Sequence, residues 1–511
     1  MQVNVIKDTM QWLTWLSVIS LAALAVASSD VPDCPDACRC IEKGPGVVTA
    51  CIKQNLTSIP YGIPSHTRSL YLKENKFAVL HQNSFSALTS LQTLALTHCH
   101  IESIEPNAFA GLRNLTSLDL RYNNIRQLQA YTFSGLFQMK RLELDNNAIE
   151  AIHNFAFHDL NLTRVSLEAN PKLGEIAQKA FHSAKVQELT IHNAILSSQS
   201  AHALRELSGS LKELSWRYNQ KPITVPEDLF QGFVLRSLNL DGNKIDNVQF
   251  LRHVMTDDLS LEDNPIGIVD FGRYPNLREV RSLRMGNTGM HTVTPQHFSG
   301  MTHLRQLYIE NNGITTLSAD LEMMFNGLQR LVMNDNKLHC NCEVLWLRDW
   351  VQAAKAVVIG AECMTPIADD IVLVDKEAFV CTEPSNLNIT HSTNPDTKEY
   401  ILKCSAQGDP PPNIYWYSPD ENILSSSTAE NRSVRQNTGN LVIDSSMKAE
   451  SGTYKCLADN NYGEIEGVTK VDAYKIISAA EDGSNLACTL YKCPYSLFTI
   501  TLIVVAYFIR L

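Results

Sequence analysis

The sequence predicts a solenoid of short parallel strands, closed at both ends by disulfide-bearing caps and followed by an antiparallel β-sandwich. Three observations carry this reading: a leucine pattern returning about every 24 residues, two groups of four cysteines flanking it, and a Cys–Trp–Cys signature beyond the second group. Composition agrees. The chain has 511 residues, 44% of them apolar and 19% charged, enough to bury a core. Acidic residues outnumber basic ones 54 to 43, for a net charge of −11, which argues against a nucleic-acid partner.

Residues 11–27 are apolar, follow Lys7 and end in Ala25-Val26-Ala27, the pattern of a secretory signal peptide over 1–27. Five N-x-S/T sequons, at Asn55, Asn114, Asn161, Asn388 and Asn431, fit an extracellular glycoprotein. Cys34, Cys38, Cys40 and Cys51 then crowd the segment 28–66, the first cap. In a secreted chain such a cluster reads as disulfides, and spacing alone leaves three pairings open for four cysteines.

From 67 to 338 the pattern L-x-x-L-x-L-x-x-N-x-L/I recurs, as in LTSLDLRYNNI at 115–125 and LRQLYIENNGI at 304–314. This is a leucine-rich repeat. Its asparagine slot is occupied in turn by Asn75, Cys99, Asn123, Asn147, Asn170, Ala194, Asn219, Asn243, Asn264, Thr288, Asn312 and Asn336, twelve units in all. In each unit a short strand turns its leucines inward, and stacking on neighbours is what buries them. The strands then form a parallel concave sheet with an irregular convex side, and the asparagine serves backbone groups of the adjacent turn. Cysteine is tolerated in that slot, so Cys99 reads as a buried free thiol, and His98 and His100 point away from it. Phe85, Phe109, Phe133, Phe157, Phe181, Phe230 and Phe298 lie ten or eleven residues after a ladder position and form an apolar spine. Ala194 lacks the ladder amide and the unit after Asn243 has only 21 residues, so irregularity is expected near 190–210 and 246–264.

A second cap, 339–383, holds Cys340, Cys342, Cys363 and Cys381, with Trp346, Leu347 and Trp350 on the apolar face of a short helix. Residues 384–475 contain Cys404, Trp416 twelve residues on, and Tyr454 two before Cys456. That is the disulfide, buried tryptophan and tyrosine corner of an immunoglobulin-like sandwich. A linker, 476–494, leads to an apolar run within 495–511. The run Tyr495–Ile509 is short for a spanning helix, which needs about 20 residues, and the small cluster Asp482-Gly483-Ser484-Asn485 stands upstream. Both a GPI-attachment signal and a short transmembrane helix fit, and each tethers the chain to a membrane. Cys488 and Cys493 stay unassigned.

The order of caps, repeats and one immunoglobulin domain, with GDPPPNIYWYSP and the Trp-rich second cap as its closest points, resembles the neuronal leucine-rich-repeat proteins and the LINGO group of the extracellular LRR–Ig cell-surface family. The resemblance implies the cap pairs Cys34–Cys40, Cys38–Cys51, Cys340–Cys363 and Cys342–Cys381. It also implies a cell-surface adhesion or receptor protein of neural or developing tissue, at the plasma membrane, that binds an extracellular protein ligand or co-receptor. Homophilic contact is a further partner class open to this chain. Residues beyond 475 do not read as the fibronectin-like domain of the neuronal group. A secreted LRR–Ig protein acting as a soluble ligand modulator is the alternative reading.

No catalytic motif is present: there is no H-E-x-x-H, G-x-S-x-G or phosphate-binding loop, and no cofactor is expected. Asp257, Asp258, Glu262 and Asp263 read as a solvated acidic face, since they lack EF-hand spacing. The positions four and two before each ladder residue point out of the sheet. These columns hold Tyr71, Lys73, Asp119, Arg121, Glu143, Asp145, Arg217, Arg284 and Tyr308, with Tyr122 and Tyr218 one place later. Tyrosine and arginine are enriched at binding hot spots. The expected partner-binding residues are therefore Tyr71, Arg121, Tyr122, Arg217, Tyr218, Arg284 and Tyr308, with the immunoglobulin domain as a second contact.

Overall fold

The computed structural model describes residues 31, 34–353, 356–393, 399–424, 432–435, 439–444 and 451–472. The signal-like segment, Asn431, Cys488, Cys493 and the apolar run lie outside the described residues. The chain forms two compact units, Met1–Phe379 and Val380–Leu511.

In the first unit one sheet of 15 strands runs from Arg39–Lys43 to Val357–Ile359. Only the opening hairpin, Arg39–Lys43 with Gly46–Ala50, pairs antiparallel; from there each strand adds parallel to the last. Parallel neighbours need a crossover, and here the rest of each repeat supplies it. The pairing register keeps one leucine column in line: Leu70, Leu94, Leu118 and Leu142 are mutual partners on successive strands, and all are fully buried.

The asparagine ladder explains why a coil of such short strands holds together. Asn123 Nδ2 donates to Leu120 O in its own unit and to Leu96 O in the preceding one, while its Oδ1 accepts from Cys99 N and Ile101 N at 2.9 and 3.1 Å. Asn75, Asn147, Asn264 and Asn312 repeat this arrangement. One buried amide thus joins two turns whose backbone groups would otherwise go unpaired. Cys99 keeps part of the role: its thiol donates to Leu72 O at 3.0 Å. It is free and buried, and burial pushes it up to about 11. His98 and His100 are both exposed.

Behind the sheet, Phe85, Phe109, Phe133, Phe157 and Phe181 stack with ring centroids 4.8–6.1 Å apart. The spine is interrupted after Phe181. There Ala194 offers no amide, and Asn219 Nδ2 turns to Lys221 O and Leu196 O instead. The crossover of this unit is a helical turn, Ser198–Ala201, continued by a 3-10 helix, His202–Leu207, capped by the Ser197 side chain. The shortened unit after Asn243 likewise crosses over through a 3-10 helix, Gln249–His253.

Cys34–Cys40 and Cys38–Cys51 cross-link the first cap, and Cys340–Cys363 the second; Cys342 and Cys381 are disulfide-bonded too. In the helix Leu345–Ala353, Leu347 and Trp350 are buried, and Trp346 Nε1 donates to Leu317 O. The aromatic end plates cover the last repeat through Phe325, 5.3–5.6 Å from both tryptophans.

The second unit is a two-sheet sandwich. One sheet orders Thr382–Thr393, Glu399–Asp409, Asn440–Asp444 and Arg432–Arg435; the other orders Ile423–Leu424, Asn413–Tyr417, Gly452–Asn460 and Gly463–Val471. Cys404–Cys456, Trp416 and Tyr454 form its core, all at most 1% exposed. Trp416 Nε1 donates to Gly439 O. Gly439 has φ +65° and a Cβ there would sit 2.0 Å from Cys404 O, so no other residue fits.

Candidate recognition face

Strand pairing lines up the residues on the outer face of the first unit's sheet as rows, several of them covered by their neighbours. One row reads Tyr71, Ala95, Asp119, Glu143, then Ser166, Thr190 and Ser215, and later Ser260, Arg284, Tyr308 and Val332. At about 4.8 Å per strand, the ten steps from Tyr71 to Tyr308 span about 48 Å along the sheet. The seven expected partner-binding residues therefore form separate groups along one surface.

A second regularity borders this face. The residue just before every ladder position has positive φ, from Glu74 and His98 through Tyr122 and Tyr218 to Asp335. Asparagine and glycine suit that conformation, and this chain uses them at Asn146, Asn193, Gly242, Asn287 and Asn311. Tyrosine does not, so Tyr122 and Tyr218 hold their places against a local cost of about 1–2 kcal/mol. Ring contacts offset it. Tyr122 stacks on His98 at 4.5 Å, 7° from parallel, and Tyr218 packs on His192 at 5.1 Å. Tyr218 also lies flat over Gly242, where a Cβ would come within 2.2 Å of the ring, and donates to Asp263 Oδ2 at 3.0 Å. Burial and the Asp263 contact push its hydroxyl up to about 12. Both tyrosines remain more than 40% exposed.

Two of the expected arginines, Arg121 and Arg284, are engaged with neighbours. Arg121 makes a bidentate pair with Asp119, both contacts 2.9 Å, which reinforces its charge. Arg284 lies 4.5 Å over the Tyr308 ring and 4.0 Å from Glu262. Lys73 sits over Tyr71. Arg217 is half-buried and shields its Nε from solvent without a partner. Arg121 and Arg284 are thus held in preset positions, which lowers the ordering cost of binding.

Carboxylates dominate the rest of the face. Asp145 accepts from Glu168 N and the Ser166 hydroxyl, and Asp241 repeats the device with Glu262 N and the Ser260 hydroxyl. Burial raises the carboxyls of Glu143, Asp145, Asp241, Asp258 and Glu310. Glu262 moves most, to about 7, through burial first and then the charges of Asp241 and Glu310. Among the described residues no group of three or more His, Cys, Asp or Glu is placed to hold a metal ion.

Sequence reasoning missed His98 and His192, which support the two exposed tyrosines, and Gly242, which makes room for one of them. The signal available was positional: His98, Tyr122, Tyr218 and Gly242 share the column just before the ladder, and His192 lies two places before Ala194. Asn55, Asn114, Asn161 and Asn388 are exposed. Asn161 opens its strand opposite Lys185, outside the rows that carry Tyr71 and Arg121.

A leucine rich repeat model matches residues 65–125, 113–171 and 278–338, and an immunoglobulin domain model matches residues 384–460. The chain is a leucine-rich-repeat and immunoglobulin domain protein. This LRR–Ig chain is 27% identical over 282 residues to the leucine-rich repeat and fibronectin type III domain-containing protein 1-like protein of Danio rerio, covering 53% of this chain and 34% of that one. It is 31% identical over 153 residues to the human leucine-rich repeat and fibronectin type-III domain-containing protein 2, covering 30% and 19%. It is 27% identical over 211 residues to a BDNF/NT-3 growth factors receptor of Gallus gallus, covering 40% and 24%. The LRR–Ig chain thus spans about a third or less of the length of these relatives.

Proposed function

We propose that this protein recognises an extracellular protein ligand across the sheet face of its repeats, with the immunoglobulin unit as a second contact, while tethered to the cell surface. The observation that supports the reading is the pair of exposed tyrosines, Tyr122 and Tyr218, each in the left-handed conformation of its column and packed on a ring partner, on a face that carries no sequon. Large aromatic groups with a polar tip, fixed in advance, gain contact area at low ordering cost. The match to a chain named as a growth factor receptor supports a receptor-type role. The apolar run Tyr495–Ile509 supports the tether.

Replacing Tyr122, Arg217 and Tyr218 together by Ala weakens capture of the ligand at least tenfold in a cell-surface binding screen, with secretion unchanged. Unaltered capture by that variant, and by one with a glycan introduced at position 217, rejects the sheet face as the site. Deleting 486–511 releases the protein into the medium; retention on cells rejects the tether.

A further inference from the structure

The two sheets of the immunoglobulin unit present unlike faces to solvent. In the strand Glu399–Asp409, Leu402 and Cys404 point into the core, so Lys403 and Ser405 point out. Asn388, the partner of Ser405, points out with them and carries a sequon. A glycan there covers that face. On the other sheet, Trp416, Tyr454 and Cys456 point inward, so their neighbours form the outer face. Its middle is apolar: Tyr415 pairs with Leu457, and Tyr417 lies between Ile423 and Lys455, whose other partner is Val468. Tyr415, Ile423 and Val468 are 39%, 54% and 64% exposed. No sequon stands on these strands.

Charge is graded along the same strands. At one end Lys470 pairs opposite Thr453, with Lys455 next to it. At the other, Asp459 lies between Asn413 and Glu464, with Glu466 one row inward. Lys455 and Glu466 neutralise each other at 3.0 Å, leaving Lys470 as the basic pole and Asp459 with Glu464 as the acidic pole. Asp459 Oδ1 is shielded from solvent and accepts no hydrogen bond. The poles are about 20 Å apart at 3.4 Å per residue.

A face with an apolar middle and opposite poles is complementary to itself under a two-fold axis, as an isologous contact requires. We infer that this face is a homophilic seat: two copies of the chain stack their C-terminal sandwiches through it, antiparallel, the basic pole of each against the acidic pole of the other. Lys470 of one copy then faces the exposed carboxylate of Glu464 at the acidic pole of its partner. Four strands about 4.8 Å apart give a patch of roughly 20 by 15 Å, about 600 Å² over the two copies and below the size of a stable specific interface, so the dimer is weak and transient and gains from confinement on a surface.

The test uses the full chain carrying two distinguishable tags, co-expressed and read by co-precipitation. K455E/K470E makes the face acidic throughout and D459K/E464K makes it basic. Each variant alone loses at least tenfold of the wild-type self-capture, and co-expression of the two restores it, which also shows that both are folded. V468N/K470T places a glycan in the apolar middle and abolishes self-capture with secretion intact. Self-capture that survives the glycan, charge variants that pair like wild type, or a mixture that fails to recover overturns the inference. A wild-type chain that captures a different protein and not itself overturns it as well.

Discussion

Glu262 sits on the sheet beside Asp241 and Glu310, with Arg284 at 4.0 Å as its nearest cation. Its carboxyl is pushed up to about 7, so the sign of its contribution follows. The protonated group favours the fold fully below its unfolded range, and that stability is lost as pH rises through about 7. Glu262→Gln should therefore raise unfolding free energy at pH 8 by on the order of 1–3 kcal/mol and leave it unchanged near pH 4. Chemical denaturation at the two pH values checks this, and an equal effect at both rejects it. Cys99 gives a second residue-scale expectation. A thiol that is buried, hydrogen-bonded to Leu72 O and raised to about 11 should resist maleimide in the native protein and react fully once unfolded.

At the scale of the element, the repeat stands on its ladder amide. Asn123→Ala leaves Cys99 N, Ile101 N and Leu96 O without their partner in a place water does not reach, while Leu120 O keeps the bond from Asn147 Nδ2. At about 1–3 kcal/mol for each unsatisfied buried group, the loss should be at least about 3 kcal/mol, measured by denaturant unfolding. Thr288 shows a partial substitute: its hydroxyl donates to Met285 O, and its backbone N–H turns to the amide of Asn312. Gly242→Ala tests a different feature. Its Cβ would enter the Tyr218 ring, so the tyrosine must leave Asp263. The expected outcome is a Tyr218 hydroxyl that titrates closer to its ordinary value, with only modest loss of stability. An unchanged titration would show that the ring stays in place.

For the whole molecule, the two compact units differ in what holds them. The repeats share one continuous apolar core from Cys51 to Phe379, whereas the core cluster of the sandwich, among the described residues, joins only eight buried side chains around the Cys404–Cys456 disulfide. Cys404→Ser should cost the sandwich about 2–5 kcal/mol. Calorimetry should show one transition lowered and the transition of the repeats unmoved; a shift of both would mean that the units unfold together.

Much of this molecule was legible in its sequence because the repeat is one-dimensional. A short strand must turn leucines inward at period two, and a ladder amide must follow it, so periodicity alone located the sheet, its outward columns and the buried Cys99. The Cys404–Trp416–Cys456 spacing located the second core in the same way. What the sequence could not determine was how side chains in neighbouring repeats, some 24 residues apart, use one another. That Arg284 lies over Tyr308, that Tyr218 crosses Gly242 to reach Asp263, and that Tyr122 rests on His98 all depend on distances between stacked strands. The polarity of the immunoglobulin face is of the same kind. Lys470 and Glu464 lie on one strand, but only the pairing of that strand with Gly452–Asn460 and Asn413–Tyr417 gathers Asp459, Leu457 and Tyr415 beside them. Local periodicity is written in the chain, while cross-strand neighbours exist only once the tertiary structure brings distant residues within a few ångströms.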